Sequence, residues 1–546
     1  MLFLIWELLL LLNSAAIGFA ERVELFWDIG RLNISRDGYS TWKSMCVNNA
    51  VPIPPVHVTQ GDVLVLNVRN SLDVPTAVHA HGIYHNYTDY YDGAEMVTEC
   101  GIPQGENFTY IIDTTNQVGD LWIHGHAHSQ LTDGFRTPFI IHEKVKPSTY
   151  DEEKLLYFED WNERAFKDMV AIDAKLKPAD FPPLYRTMLI NGVNANMSKS
   201  LHFEPRKRYR LRILSLSTSS WIKFRMPGHT MHVISKDGVE AEPMEVDGLD
   251  LGPGQRESII VTAHDTAEFN YMYNVTLYAN FIPLYPGLMP RYYSGLIEYQ
   301  KKAPLANIPA VDDAQLVWND VINMQARDRM PLLPVDRQIM LSIKQFTPEH
   351  GIPYYSFGDY AFNHSLVPIL FTALSMGELA SNSSVYGPQA QAHILQYGES
   401  IELLVYNDNS KDHSLHLHRG EYQVVEVGPY GDAVANNRTV VEFQKSGPSP
   451  MRCDVVTVRA YSYIKLRFHV NRGMVALFRC HMMHGGYFGL AATFIAAPEL
   501  LQKYVKVPEE VIRMCKLRGI KTSGNAAGNE GFDMTGLPPP FLVNRE

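Results

Sequence analysis

The sequence lacks an excess of positive charge, and beyond its first twenty residues it lacks long hydrophobic runs. Its formal net charge at pH 7 is -11 over 546 residues. Because a chain with this balance repels a phosphate backbone, we do not expect nucleic acid as a partner. No stretch after residue 20 reaches the roughly 20 apolar residues of a transmembrane helix, so we expect no membrane anchor in the mature chain.

Cysteine and helical periodicity are also scarce. The five cysteines are Cys46, Cys100, Cys453, Cys480 and Cys515, and their odd number leaves one unpaired in an oxidising compartment. DEEKLLYFEDWNERAFKDMVAI (151–172) is predicted to be partly helical. VPEEVIRMCKLRG (507–519) is predicted to form an amphipathic helix that carries Cys515.

The N-terminus predicts export. The apolar run MLFLIWELLLLL and the small-residue end at Ala20 fit a signal peptide cleaved before Glu21. The run has no Lys or Arg before it, so an uncleaved anchor is the alternative. Glycosylation acceptor triplets agree with a secretory route, and they begin at Asn33, Asn86, Asn107, Asn196, Asn274, Asn363, Asn382 and Asn437. We therefore expect a secreted or cell-surface glycoprotein.

The rest of the sequence has the residue pattern of an all-β protein. Short β-branched and aromatic runs broken by Gly, Pro, Asn and Asp recur, as in RYRLRILSL and ESIELLVYND. The runs after Val56 and after Ser400 share a turn, an alternating strand and a following His cluster, which indicates an internal repeat. We expect three β-sandwiches in series. The expected ranges are a signal peptide at 1–20, domains at 21–145, 146–300 and 334–500, a linker at 301–333, and a tail with a short helix at 501–546.

Histidines form four clusters whose spacing suits metal ligation. They are His79-Ala80-His81, His124-Gly125-His126, His413 with His416 and His418, and Cys480-His481 with His484. Residues two apart in a strand point to the same face, so each His-x-His pair aims two imidazoles at one spot. Imidazole and thiolate suit copper, and two His with one Cys are typical of a blue-copper site. A single pair is often a surface or core feature, but the four clusters together predict copper binding.

These clusters also carry a family resemblance that covers almost the entire chain. HAHGIYHN, VGDLWIHGHAHSQLTDG, HSLHLHRGEYQVVEVG and LFRCHMMHGGYFGL are similar to the four copper motifs of multicopper oxidases. Within this family, the motifs are most similar to those of fungal laccases and their iron-oxidising relatives. The resemblance implies an all-β fold of three cupredoxin-like domains with Greek-key sandwiches. It also implies up to four copper ions, which pass electrons from a substrate to dioxygen and form water.

The resemblance implies a ligand set for each copper. It places type 2 copper at His79 and His416, and one type 3 copper at His81, His124 and His481. It places the second type 3 copper at His126 and His418, and type 1 copper at His413 and Cys480. His484 is the available second type 1 imidazole, and Leu490 falls at the axial position. Cys480 and His481 are expected to pass electrons to the cluster.

Two further positions are assigned by the resemblance. Asp92 matches an acid that helps to deliver protons during oxygen reduction, and a turn aspartate before Gly93 is the alternative. Cys100 is expected to form a disulfide with Cys515, while Cys480 stays reduced. Cys46 and Cys453 have no assigned partner.

The sequence departs from the family pattern around Cys480. Arg479 stands where the family has a His, and a guanidinium is permanently protonated and cannot ligate copper. If Arg479 points into the cluster, the second type 3 site loses a ligand and gains a charge. If Arg479 points outward, His128 on the strand face of His126 is a candidate to complete the set, with a surface histidine as the alternative.

A second departure follows Cys480. The family has its type 1 His at the position of Gly485, so His484 lies one residue early, and a slip of this kind turns a strand residue to the opposite face unless a bulge absorbs it. Met482 and Met483 stand where an acid is frequent in the family. A specialised or partly degenerate site is therefore an open alternative.

The substrate is predicted from residues expected around the type 1 site. Asp160 and Glu378 match positions where carboxylates bind Fe(II) in iron-oxidising relatives, although Asp160 is shared with phenol-oxidising ones. ANFIPLYPGLMPRYY (279–293) is aromatic where a further acid is expected, which favours a flat organic substrate. We expect a laccase-like oxidase of phenolic compounds such as pigment or secondary-metabolite precursors. A ferroxidase and a copper-binding scaffold without turnover are the two alternatives.

Overall fold

The computed structural model describes residues 21–39, 41–162, 165–166, 187–198, 200–278, 291–347, 353–431 and 441–541. The predicted signal peptide lies outside these residues. The strands of the described chain form six sheets, which are arranged in three successive pairs. This arrangement agrees with the expected series of three β-sandwiches, while the exact domain boundaries stay predictions.

The first sandwich pairs two four-stranded sheets. In spatial order, one contains β2 (Trp42–Val47), β1 (Arg22–Ile34), β4 (Val63–Asn70) and β6 (Asn107–Asp113). The other contains β3 (Val56–Thr59), β8 (Arg136–His142), β7 (Gly119–Gly125) and β5 (Val78–His81). The second sheet lies at the copper motifs, because both β5 and β7 carry histidines.

The second sandwich has sheets of seven and five strands. The larger contains β11 (Val193–Asn194), β10 (Thr187–Ile190), β9 (Glu152–Trp161), β13 (Arg208–Ser215), β18 (Arg256–Thr262), β15 (Met231–Lys236) and β16 (Val239–Val246). The smaller contains β12 (Leu201–His202), β20 (Arg291–Glu298), β19 (Tyr271–Tyr278), β14 (Trp221–Arg225) and β17 (Leu249–Leu251). Strand β9 replaces a helix in the first half of the segment 151–172, because its backbone pairs with β10 and β13, and the second half lies mainly outside the described residues.

The third sandwich also has a larger and a smaller sheet. The larger contains β22 (Tyr354–Ser356), β21 (Arg337–Phe346), β24 (Ser400–Asn407), β30 (Ser462–His469), β26 (Tyr422–Pro429) and β27 (Gln444–Lys445), and β28 (Arg452–Cys453) pairs with β26. The smaller contains β23 (Ala392–Leu395), β32 (Ala491–Ala496), β31 (Met474–Cys480), β25 (His413–Leu417) and β29 (Val455–Val458).

The same two parallel pairings recur in every sandwich. In the first sheet of each domain they join β1 to β4, β9 to β13 and β21 to β24. In the second sheet they join β3 to β8, β12 to β20 and β23 to β32. The remaining strand pairs are antiparallel. Because each domain has its parallel pairs at the same two places, the three domains are copies of one topology. It supports the internal repeat inferred from the sequence.

Short helices connect and close the third domain. They are α1 (Ile369–Ser375), α2 (Met483–Tyr487), α3 (Pro498–Tyr504) and α4 (Glu509–Leu517). The last is the amphipathic helix predicted near the C-terminus, and its Cys515 forms the expected disulfide with Cys100 of the first domain. None of the helices in the part of the chain that the structure describes is long and apolar enough to cross a membrane.

The first and third domains share a packed interface. Val475 and Leu477 of β31 pack within the hydrophobic core that surrounds β5 and β7, whereas Ala476, Phe478 and Cys480 pack within the core of the third domain. This alternation follows from the two-residue period of a strand. Strand β31 is therefore buried on both faces, and its odd-numbered residues face the first domain.

Candidate metal centre

Strand alternation aims the histidines of two domains at the same space. In β5 the flanking Val78 and Ala80 point into the core of the first domain, so the imidazoles of His79 and His81 point out of it. In β25, Leu415 and Leu417 fill the core of the third domain. The residues of opposite parity, His416 and the following His418, therefore face the first domain.

The imidazoles meet in a buried cluster at this interface. The rings of His81 and His416 stack with centroids 3.6 Å apart, and those of His79 and His418 stack at 4.0 Å. The His481 ring lies 5.1 Å from that of His81. Further contacts join His124 to His79 at 5.2 Å and His126 to His418 at 4.9 Å. The expected meeting of the two groups of histidines therefore exists in the structure.

One nitrogen of most rings is held by an oxygen, which leaves the other nitrogen for a metal. The Nδ1 atoms of His79, His124, His416 and His418 donate to oxygens at 2.6, 3.0, 3.0 and 2.9 Å. The Nε2 atoms of these four residues are buried and have no hydrogen-bond partner. The Nδ1 atoms of His81 and His481 are also buried without a partner. Outer hydrogen bonds of this kind orient metal-binding imidazoles, so these residues fit copper.

The protonation state of the rings also fits a metal centre. Burial lowers the pKa of His79, and it lowers the pKa of His81, His124, His416 and His481 well below the usual value. The rings are therefore neutral at physiological pH. A neutral imidazole is the form that ligates metal ions.

Three groups of donor atoms lie within 4.8 Å of one another in the described part of the chain. They are His79 with His81 and His124, His79 with His416 and His418, and His81 with His416 and Asp454. The individual copper assignments inferred from the sequence stay predictions. His126 belongs to none of these groups.

Asp454 is a component of the site that the sequence did not reveal. Its Oδ1 atom lies 3.3 Å from Nε2 of His81, and its main-chain oxygen accepts from His416. Arg256 of the second domain donates to both carboxylate oxygens at 2.6 and 2.9 Å. A surface cavity of about 280 Å³ reaches Asp454. All three domains thus meet at this carboxylate. Burial raises the pKa of Asp454 to about 7.

Arg479 points into the cluster. Its Nη1 atom donates to Nε2 of His126 at 3.1 Å, and its Nε atom donates to the Cys480 carbonyl oxygen at 3.3 Å. The outward orientation considered from the sequence is therefore not the one adopted. Because a guanidinium carries no free lone pair, the residues present do not fit the second type 3 copper.

His128 does not complete this set. Strand β7 ends at Gly125, so the two-residue period that would place His126 and His128 on one face no longer applies. The backbone of His128 is left-handed with φ of 51°, and its side chain is exposed. This geometry corrects the expectation that His128 and His126 share a strand face.

A second donor pair lies inside the third domain. Sγ of Cys480 is 3.6 Å from Nδ1 of His413, a separation that one ion bonded to both atoms at about 2 Å can bridge. Burial raises the pKa of Cys480 to about 12 and lowers that of His413 to about 3. Copper fits this pair because a coordinating thiol loses its proton to the metal. Leu490, the expected axial residue, is fully buried and its carbonyl accepts from Cys480.

The structure does not group His484 with this pair, and its assignment to type 1 copper stays a prediction. Among the described residues, no group of donors within 4.8 Å contains His413, Cys480 and His484 together. Helix α2 replaces the strand or bulge expected here, so adjacent residues differ in direction by about 100° rather than 180°. The His484 ring instead contacts the ring of Phe166, with centroids 5.6 Å apart.

Asp92 holds two histidines of the cluster. Its main-chain oxygen accepts from His79, and its Oδ2 atom accepts from His418. The side chain is fully buried. Asp92 also precedes Gly93, where a Cβ would lie 1.9 Å from the Val78 carbonyl oxygen. The turn and the acid at the cluster are therefore both present, and the proton-delivery role stays a prediction.

The two carboxylates expected to contact the substrate have different surroundings. Asp160 is 3% exposed, and its oxygens accept from Arg136, Thr218 and Ser219 at 3.3, 2.9 and 2.7 Å. Asp160 therefore links the segment that follows β13 to the two strands β8 and β9. Thr218 in turn accepts from the Met483 amide of α2 at 2.7 Å, so Asp160 lies near the Cys480 segment, and its contact with a substrate stays a prediction.

Glu378 is exposed, but it lies at the far end of β31 from Cys480. Its neighbour Gly377 accepts from Gln502 of α3 at 2.9 Å, and α3 directly follows β32. The end of β32 pairs with Met474, six positions before Cys480, or about 20 Å along the strand. This distance corrects the expectation that Glu378 flanks the type 1 site.

Comparisons with known proteins agree with the fold and the centre. Three family models, each described as multicopper oxidase, match residues 28–146, 152–287 and 363–499 in turn. The iron multicopper oxidase fer1 of Mycosarcoma maydis is 31% identical and aligns over 96% of this chain and 88% of its own. The iron transport multicopper oxidase fio1 of Schizosaccharomyces pombe is 31% identical over 94% of this chain and 82% of its own.

Solved structures give the same picture. Fet3p, described as a multicopper oxidase that functions in iron import, superimposes with a TM-score of 0.88 at 25% identity, covering 96% of this chain and 100% of its own. A laccase from Botrytis aclada shares the fold with a TM-score of 0.72 at 22% identity, covering 92% of this chain and 93% of its own. These matches confirm three cupredoxin-like domains. The chain belongs to the multicopper oxidase family, and it is a copper-dependent oxidoreductase with dioxygen as electron acceptor.

Proposed function

We propose that this oxidase takes its electrons from Fe(II). The observation that carries the proposal is the full-length similarity to proteins named iron multicopper oxidases, at up to 31% identity over more than nine-tenths of the chain. The sequence alone favoured a phenolic substrate, and the comparisons do not support that preference. The aromatic segment on which it rested lies mainly at 279–290, outside the described residues.

The residues around His413 support electron entry from the surface. Nε2 of His413 lies 3.3 Å from Oδ1 of the partly exposed Asn409, while Nδ1 faces Sγ of Cys480. The His413 ring therefore spans the distance between the surface and the thiol. When bound, copper supplies the one-electron redox chemistry at this pair and in the cluster.

The chain connects the two donor sets covalently. Cys480 and His481 are adjacent, with Cys480 facing His413 and His481 facing the cluster. The His481 amide donates to the Ser414 carbonyl at 2.6 Å, and the Cys480 amide donates to Leu490 at 2.9 Å. These bonds hold the peptide between the donor sets in one orientation.

An aspartate adjoins Asn409 in the chain, and its carboxylate lies against Gly431. Asp408 is exposed and precedes Asn409, which contacts His413. Carboxylate oxygens suit hard cations and stabilise the higher charge of an oxidised iron ion. We include Asp408 in the proposal as a carboxylate that receives Fe(II).

The test compares two electron donors on copper-loaded protein. We expect kcat/KM for Fe(II), followed by oxygen uptake, to exceed that for a substituted phenol by at least about tenfold, the equivalent of 1.4 kcal/mol. A higher kcat/KM for the phenol would reverse the assignment. Copper binding without turnover of either donor would favour the scaffold alternative. Asp408→Asn should raise KM for Fe(II) alone, and Asp73→Asn, an exposed aspartate of the first domain, is the matched control.

We also propose that the chain is exported. The acceptor asparagines within the described residues are exposed, except for the half-buried Asn274. Accessible acceptors are what glycosylation in a secretory route requires. Removal of N-glycans from protein collected in the medium should lower its apparent mass, and retention of an unmodified chain inside the cell would contradict export.

A further inference from the structure

An arginine enters the imidazole cluster because of its place in β31. Arg479 has the same parity as Val475 and Leu477, which face the first domain, and it pairs across the sheet with His416. Its side chain therefore projects toward the cluster by the two-residue period of the strand. The hydrogen bond from Nη1 to His126 at 3.1 Å then fixes the guanidinium among the histidines.

The surrounding chain is shaped to hold this guanidinium. A Cβ at Gly486 would lie 2.4 Å from Nη2 and 3.0 Å from Cζ of Arg479. A glycine at 486 thus leaves the space that the side chain occupies. Together with the bond from Nε to the Cys480 carbonyl, this packing holds Arg479 at three points.

Arg479 also explains which histidines of the cluster are left to bind metal. Nε2 of His126 accepts a hydrogen bond from Arg479 and is therefore not available to a metal. His126 belongs to none of the donor groups found among the described residues. His418 keeps Nε2 without a partner, but it is grouped with His79 and His416. A third ion in the cluster would therefore lie beside a permanent positive charge with one imidazole fewer than the family provides.

We propose that the cluster binds two copper ions and that the guanidinium of Arg479 occupies the third metal position as a fixed cation. The two ions would draw on the imidazoles whose free nitrogens are buried, namely His79, His81, His124, His416, His418 and His481. The proposal concerns metal content, so it does not depend on Fe(II) being the substrate.

The experiment counts copper in the cluster alone. Cys480→Ser removes the thiolate of the separate site, and copper per chain is measured by mass spectrometry after anaerobic loading and gel filtration. We expect two ions per chain in this variant. Three tightly bound ions would overturn the proposal, because they would show that Arg479 leaves the position when copper is supplied.

A second variant identifies the residue responsible. Adding Arg479→His to the Cys480→Ser background should raise the count from two ions to three, because it restores an imidazole and removes the charge. An unchanged count in a double variant with the circular dichroism of the parent would refute the role of Arg479. Arg513→His makes the same chemical change on the exposed face of α4 and should leave the count at two.

Discussion

The Oδ2 atom of Asp92 accepts a hydrogen bond from Nδ1 of His418 at 2.9 Å, across 326 positions of the chain. The bond joins the first domain to the third at the centre of the imidazole cluster. It also fixes the His418 tautomer, since an Nδ1 that donates leaves Nε2 as the metal-binding nitrogen.

Asp92→Ala should weaken copper binding without unfolding the protein. His79 keeps its bond to the main-chain oxygen of residue 92, whereas His418 loses its partner. Loss of an outer partner of this kind typically lowers metal affinity about 10–100-fold. Copper retention against a chelator measures the effect, with Asp73→Asn as a control. Equal retention in Asp92→Ala and the parent would show that the Asp92 carboxylate does not support the site.

Asp160→Asn should lower stability rather than change substrate affinity. The carboxylate is buried and paired with Arg136, and breaking a buried pair costs about 3–5 kcal/mol. The thermal midpoint should therefore fall while KM for Fe(II) stays the same. Glu378→Gln, which changes an exposed residue, should leave both quantities unaltered. A selective rise of KM in either variant would return that carboxylate to the substrate site.

Glu99 should make stability depend on pH. Burial raises its pKa to about 8, and Tyr110 donates to its carboxylate at 3.0 Å. Between roughly pH 4.3 and 8 the folded chain keeps a proton that the unfolded chain has released, so its stability falls as pH rises through this window. The loss is about 5 kcal/mol at most, from 1.36 kcal/mol for each pKa unit.

Denaturant unfolding across this pH range measures the slope. Glu99→Gln is neutral at every pH and should flatten it. Glu268→Gln changes an exposed carboxylate and should keep the slope of the parent. If the free energy of unfolding has the same pH slope in the parent and in Glu99→Gln, Glu99 is ionised in the folded chain.

Loss of the Cys100–Cys515 disulfide should destabilise the contact between the first domain and α4. The bond closes a separation of 415 residues, and removal of native disulfides typically costs about 2–5 kcal/mol. The metal-free Cys515→Ser protein should unfold at a lower temperature than the parent. A reductant should lower the midpoint of the parent only. A midpoint that does not respond to reduction would show that the disulfide does not stabilise the fold.

The sequence predicted the site wherever the histidines lie within strands. In β5 and β25 the two-residue period decides which side chains face the cluster, so the roles of His79, His81 and His416 could be anticipated. The period fails where the chain leaves a strand. His128 follows the end of β7 and leaves the strand face of His126, and His484 lies in a helix where a strand or bulge was expected.

Other features depend on contacts that a sequence does not display. Asp454 reaches His81 across 373 positions, and no local motif marks it as part of the site. The segment from Glu152 carries residues that favour a helix, but pairing with β13 and β10 makes it a strand. Tertiary pairing here overrides a weak local preference.

The type 1 site should depend on His413 and not on His484. A Cβ at Gly485 would lie 2.6 Å from Sγ of Cys480, so α2 brings the backbone at the family's histidine position directly against the sulfur. His413→Ala should therefore abolish the visible thiolate-to-copper absorption, whereas His484→Ala should retain it. Gly485→His restores the family spacing, but it should lower the thermal midpoint, because overpacking costs about 1–3 kcal/mol. Equal loss of absorption in His413→Ala and His484→Ala would mean that α2 rearranges to make His484 a ligand when copper binds.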